Sequence, residues 1–170
     1  RIRLTLPQFT GVADYILKSK SSGQRAISSP LALMVEPTNR CNFSCPLCDR
    51  GTGKLTRPEG IMSPENFGKI LDGAGDHLKM LLLWNQGEPL VNIHFGKLVT
   101  EAKNRNIFCI TSTNGSLLDR FAENIVESGL DEIIVSLDGA DAETYNLYRR
   151  GGDFDSILRG IRKLITLRAN

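Results

Sequence analysis

LALMVEPTNRCNFSCPLCDRG, residues 31–51, joins a short apolar run directly to three cysteines, Cys41, Cys45 and Cys48. The run LALMVE has the length of a strand, and its near-continuous hydrophobicity fits a strand buried on both faces, as in a parallel sheet. Three more runs of the same kind follow: KMLLLW from Lys79, IFCITST from Ile107 and EIIVSLD from Glu132. Amphipathic segments separate them. Ser63, Pro64 and Glu65 supply an N-cap, a proline for the first turn and an acidic residue at the positive end of the helix dipole, which predicts a helix over 63–72. Like signals predict helices over 93–105 with Asn92 as cap, over 117–128 ended by Gly129, and over 153–168 with Asp153 as cap. Strand and helix alternate four times, so the chain reads as α/β, with right-handed crossovers and a parallel sheet.

The 170 residues are within the size of one domain and can bury a substantial core. Lys and Arg number 21 against 19 Asp and Glu, a net charge of +2 that gives no basis for a nucleic-acid or membrane surface. No run of about 18 apolar residues occurs, and the start RIRLTLPQFTG lacks the features of a secretory signal, so a soluble, cytoplasmic protein is predicted. Residues 1–30, with SKSSGQ and SSP, read as a lead-in to a core over 31–170. The chain starts at Arg1 rather than Met, which suggests residues missing or processed upstream.

The cysteines carry the chemistry. Their spacing could form one helical stripe, but Asn42, Pro46, Gly51 and Gly53 argue against a helix there. Clustered thiols in a reducing compartment favour metal, and disulfides within so tight a cluster would be strained. A structural zinc site takes four protein ligands, for which Asp49 is adjacent and His77 and His94 are remote candidates. An iron-sulfur electron carrier also usually has four cysteines. Three thiolates on a cubane leave one iron open to a small molecule. Cys109, inside NIFCITST, reads as a core residue, and Trp84 as either core or pocket lining. The cysteine loop, QGEP (86–89), STNG (112–115) and SLDG (136–139) all follow strands, so they share the carboxyl edge of the sheet, where parallel α/β folds build their sites.

The spacing CxxxCxxC, preceded by EPTNRC and followed by QGEP, TNG and SLDG, resembles the radical S-adenosylmethionine (SAM) superfamily over about residues 30–168, most closely the subgroup with SPASM or twitch extensions. The resemblance implies a partial (β/α) TIM-like barrel with about four βα units present, truncated at its C-terminus and completed by further chain or a partner. It implies a 4Fe-4S cluster on Cys41, Cys45 and Cys48, with SAM chelating the open iron. Gly87, Glu88 and Pro89 match the motif that receives the SAM amino group, Asn114 and Gly115 a third-strand motif, and Ser136 and Asp138 a fourth-strand motif. Arg149, with Arg150 as competitor, matches the arginine that pairs with the SAM carboxylate. Leu47 stands where an aromatic commonly flanks adenine, and Gln86 where glycine is common. The activity implied is reductive cleavage of SAM to a 5'-deoxyadenosyl radical that abstracts hydrogen from a peptide or small metabolite. A flavodoxin or ferredoxin is the implied reductant. The rival reading is a non-catalytic metal-binding module; a nucleotide-binding protein ranks last, since no GxxxxGK[ST] loop is present.

Overall fold

A computed structural model describes residues 30–169, so the predicted lead-in, apart from Pro30, lies outside the described residues. Strands β1 (Ala32–Met34), β2 (Met80–Leu82), β3 (Phe108–Thr113) and β4 (Glu132–Val135) pair in sequence order, and every pair is parallel. Helices α1 (Pro64–Ala74), α2 (Phe95–Asn104) and α3 (Leu118–Glu127) connect them, while α4 (Ala142–Tyr148) and α5 (Phe154–Ala169) follow β4. No helix among the described residues is long and apolar enough to cross a membrane.

The helix boundaries follow their local signals. Ser63 caps α1 by accepting the Asn66 N–H at 3.2 Å. Gly129, at φ 77°, takes the left-handed conformation just after α3 that glycine adopts without a Cβ clash. The Asp153 carboxylate accepts the N–H groups of Asp155 and Ser156 at 3.1 and 3.3 Å and caps α5. Helix α4 was not anticipated; it starts from a reciprocal capping box between Asp141 and Thr144. Glycine lets two helices meet: a Cβ at Gly160 would stand 2.8 Å from the Asp119 nitrogen, so α5 lies close against the start of α3.

The structure corrects two expectations. The strands are not buried on both faces. Burial alternates along β3, where Cys109, Thr111 and Thr113 are buried and Phe108, Ile110 and Ser112 are only half-buried. One face, with Val35, Leu81, Leu83 and Cys109, packs on Phe67, Leu71, Phe95, Leu98 and Leu118 of the helices, and the opposite face leaves Met34 and Ile134 exposed. Apolar side chains on both faces hid this alternation. The second correction concerns Asn92, which is not the N-cap of α2; His94 occupies that position. Asn92 is fully buried, its Nδ2 donates to the carbonyls of Pro37 and Met62 at 3.0 and 2.9 Å, and its Oδ1 accepts the His94 N–H at 2.9 Å. It thus ties the exit of β1 and the returning loop to the start of α2.

Asn92→Ala would take the side-chain partners from the Met62 carbonyl and the His94 N–H. The expected outcome in urea denaturation is a loss of about 1–3 kcal/mol with unchanged helical circular dichroism; an unshifted midpoint would show that this amide is dispensable.

Candidate active site

The four strand-end segments do meet. A cavity of about 170 Å³ at the carboxyl edge is lined by Cys41, Cys45 and Cys48 from the loop after β1, by Gly87 and Glu88 after β2, by Asn114 at the end of β3, by Ser136 after β4 and by Arg149 after α4. Two predicted contacts lie apart from this lining. Leu47 is 85% exposed on the cysteine loop, and Asp138 turns to Arg149. Trp84 proves to line the cavity, as do Phe43, Asn85, Gln86, Ser112, Thr113 and Tyr148, none of which was assigned a role from sequence. Alternation along β3 was the available signal for Ser112, whose hydroxyl lies 3.3 Å from that of Ser136 on the neighbouring strand end.

Gly87 is required by close packing. A Cβ there would run into the Thr38 carbonyl oxygen and stand 2.7 Å from that of Arg40, the residue just before the first cysteine. Glu88 then donates its N–H to Arg40 O at 2.8 Å, clamping the root of the cysteine loop to the end of β2. Glu36 adds a second brace: its carboxylate accepts the Gln86 N–H at 2.9 Å and pairs with both terminal nitrogens of Arg57. Hydrogen bonding to the Arg57 guanidinium and the Gln86 N–H prevails over burial and holds Glu36 below its ordinary range.

The Glu88 side chain is buried, 2% exposed, and crosses to β3. Its Oε1 accepts the Thr113 hydroxyl at 2.6 Å and the Leu90 N–H at 3.1 Å, and its Oε2 accepts the Asn114 N–H at 2.7 Å. Burial pushes this carboxyl up; the three donors and the Arg149 charge pull against it, and the net direction is above the ordinary range. A buried carboxylate of this kind gains by meeting a cation.

All four cysteines are free thiols. Burial raises the pKa of Cys41, a bond from the Phe43 N–H opposes this, and the Glu88 charge and the other two thiols add to the rise. Asn114 Nδ2 lies 3.9 Å from Cys41 Sγ and 3.0 Å from Asn42 Oδ1. Among the described residues no three ligating side chains converge as a single metal ion needs, although three thiols line one cavity. A tetrahedral ion draws its sulfurs to about 2.3 Å from one point. A cubane binds each thiolate through a different iron, and three thiols lining one cavity match a cluster with one iron left open. Cys109 is fully buried in the core, its thiol pushed up to about 12 by burial.

The sequence profile of the Radical SAM superfamily matches residues 35–168. This chain belongs to the radical SAM superfamily. Members are enzymes that bind a 4Fe-4S cluster and SAM. The chain is 35% identical over 131 residues to the probable GTP 3',8-cyclase of Methanococcus vannielii, covering 76% of this chain and 43% of that protein. It is 29% identical over 139 residues to the AdoMet-dependent heme synthase of Methanosarcina barkeri, covering 81% and 40%. The chain therefore spans less than half the length of these curated relatives. In fold it resembles Streptococcus suis SuiB bound to S-adenosylmethionine, with a TM-score of 0.68 at 20% identity over 93% of this chain and 36% of that one. The open parallel sheet with helices on one face is accordingly a partial (β/α) barrel.

Gly87→Ala is expected to cost about 1–3 kcal/mol by forcing the Thr38–Arg40 backbone away, and to lower the iron retained after anaerobic reconstitution. Gly68→Ala is the control: its Cβ meets nothing within 4 Å inside α1, so it should stabilise by up to about 1 kcal/mol. Equal effects of the two substitutions would contradict the close-packing argument.

Proposed function

We propose that this chain is the cluster- and SAM-binding core of a radical SAM enzyme, of oxidoreductase or transferase type. The supporting observation is that Cys41, Cys45, Cys48, Glu88, Asn114, Ser136 and Arg149 come from separate segments of the chain and line one cavity. Cys41, Cys45 and Cys48 would hold a 4Fe-4S cluster and leave one iron free for SAM. Glu88 accepts the SAM ammonium, beside backbone that Gly87 brings close. Asn114 and Ser136 offer hydrogen bonds to the ribose or the methionyl carboxylate, and Arg149 offers charge-assisted bonds to that carboxylate. Leu47, on the exposed rim of the cysteine loop, supplies apolar contact for adenine. When bound and reduced, the cluster supplies the electron that cleaves the carbon-sulfur bond of SAM, yielding the 5'-deoxyadenosyl radical that abstracts hydrogen from substrate. The chain's own part is to orient SAM and limit water at the reacting centre.

A flavodoxin or ferredoxin fits as reductant. The substrate class proposed is a peptide or small metabolite. The motif series EPTNRC, GEP, TNG and SLDG supports a place near the SPASM/twitch subgroup. SuiB, which shares the fold, has been solved bound to its precursor peptide SuiA, and the curated relatives are GTP cyclases and a heme synthase.

Anaerobic reconstitution should give about four iron and four sulfide per chain, lost when Cys41, Cys45 and Cys48 are changed together to Ala and kept in Cys109→Ala. SAM should alter the spectrum of the cluster, and reduction should release 5'-deoxyadenosine. Stoichiometric zinc without sulfide, or a reduced cluster indifferent to SAM, would overturn the reading.

Glu88 also predicts a pH dependence. Its folded pKa is raised, so its protonated form stabilises the fold at acid pH and that contribution is lost as pH rises through the folded pKa. SAM needs the ionised form, so affinity should rise with pH through a window above the ordinary carboxylate range. Glu88→Gln should weaken binding and flatten this profile, as titration calorimetry across pH would read; an unchanged profile in the variant would assign the dependence elsewhere.

A further inference from the structure

Asp138 and Gly139 lie in the irregular segment between β4 and α4. Asp138 sits at φ 52°, one of two non-glycine residues with positive φ among the described residues, and a Cβ at Gly139 would stand 2.6 Å from Tyr145 Cα. From this segment Asp138 Oδ2 forms an ion pair with Arg149 Nη2, although Asp138 itself does not line the cavity. Arg149 lies at the C-cap of α4, where its N–H bonds Tyr145 O at 2.9 Å, and its guanidinium carbon is 5.4 Å from the centroid of the Tyr148 ring. Its side chain is 17% exposed, and its Nε is buried without a protein partner.

We propose that Asp138 is a positioning residue that acts on SAM only through Arg149, by fixing the guanidinium at the cavity wall; this rests on the reading of the cavity as a SAM site. An arginine side chain has many rotamers, and a free one spends little time in any single pose. Asp138 removes much of that freedom before ligand arrives, with the Tyr148 ring close to the guanidinium. Several N–H groups of the fork remain for a carboxylate. The unpartnered Nε is an unmade bond of the kind that a ligand explains. Preorganisation of this sort raises affinity by reducing what binding must order.

The test is a double-mutant cycle on SAM affinity, read from the SAM-dependent change in the cluster spectrum of the reconstituted protein. Asp138→Asn keeps the size and the tolerance of positive φ and removes the charge. It should weaken SAM about tenfold, Arg149→Gln at least as much, and the double variant should lie within about twofold of Arg149→Gln. Iron content should be unchanged. Asp138→Gly suits the positive φ by a different route and should give the same pattern, which separates the ion pair from any folding defect of the Asn variant. Additive losses would place Asp138 on SAM itself, and unchanged or tighter binding in Asp138→Asn would make it irrelevant or a competitor; each overturns the proposal. Wild-type protein that loads its cluster but ignores SAM overturns the SAM reading as well, whereas SAM binding without coupling overturns this proposal alone.

Discussion

The burial of Glu88 is the constraint on which the site depends. An isolated carboxylate costs several kcal/mol to desolvate, and is tolerated only where donors surround it. Here the donors are the Thr113 hydroxyl and the Asn114 and Leu90 N–H groups, so satisfying one charge fixes the end of β3 against the turn after β2. The N–H of the same residue holds Arg40, and thereby the entry to the cysteine loop. One residue sets the spacing of three strand ends. Gly87 beside it makes the approach possible, because no side chain fits between that turn and residues 38–40.

From this brace the cysteine loop is held on its other side as well. The Ser44 N–H bonds Arg150 O at 3.0 Å, and Phe43 and Cys45 pack with Tyr145 and Ile157. Gly152 permits that contact, since a Cβ there would run into the Tyr145 hydroxyl. The loop is therefore gripped between the β2 turn and the segment after α4. Its residues sit in pre-set positions although no continuous element runs through 41–48. Preorganised thiols matter because a cluster must be captured without rebuilding the backbone around it.

Much of this was legible in the sequence, for local reasons. Caps at Ser63 and Asp153 and the glycine after α3 mark helix ends because each satisfies a specific backbone group. The strand ends share an edge because parallel connections leave no other arrangement. What escaped was non-local or short. Helix α4 spans seven residues, too few for a periodic pattern, and its only signal was the capping pair Asp141 and Thr144. The one-sided burial of the sheet was masked because Met34, Leu82, Ile110 and Ile134 on the open face are as apolar as the core. Motif membership placed Asp138 near the site without saying which way its carboxylate turns, and the ion pair with Arg149 supplied that direction.

The alternation along β3 divides one strand between two kinds of selection. Cys109 and Thr111 answer to the packed face, Thr113 to the Glu88 carboxylate, and Phe108, Ile110 and Ser112 to whatever the open face meets. A change on the open set leaves packing on the helix side untouched, so recognition can drift while the scaffold stays put. Length is different. A one-residue slip of Phe108–Thr113 in its register, as a deletion just before the strand would force, exchanges the two sets at once, turning core outward and the open face inward. In this architecture spelling is negotiable on one side of the sheet, and counting is negotiable on neither.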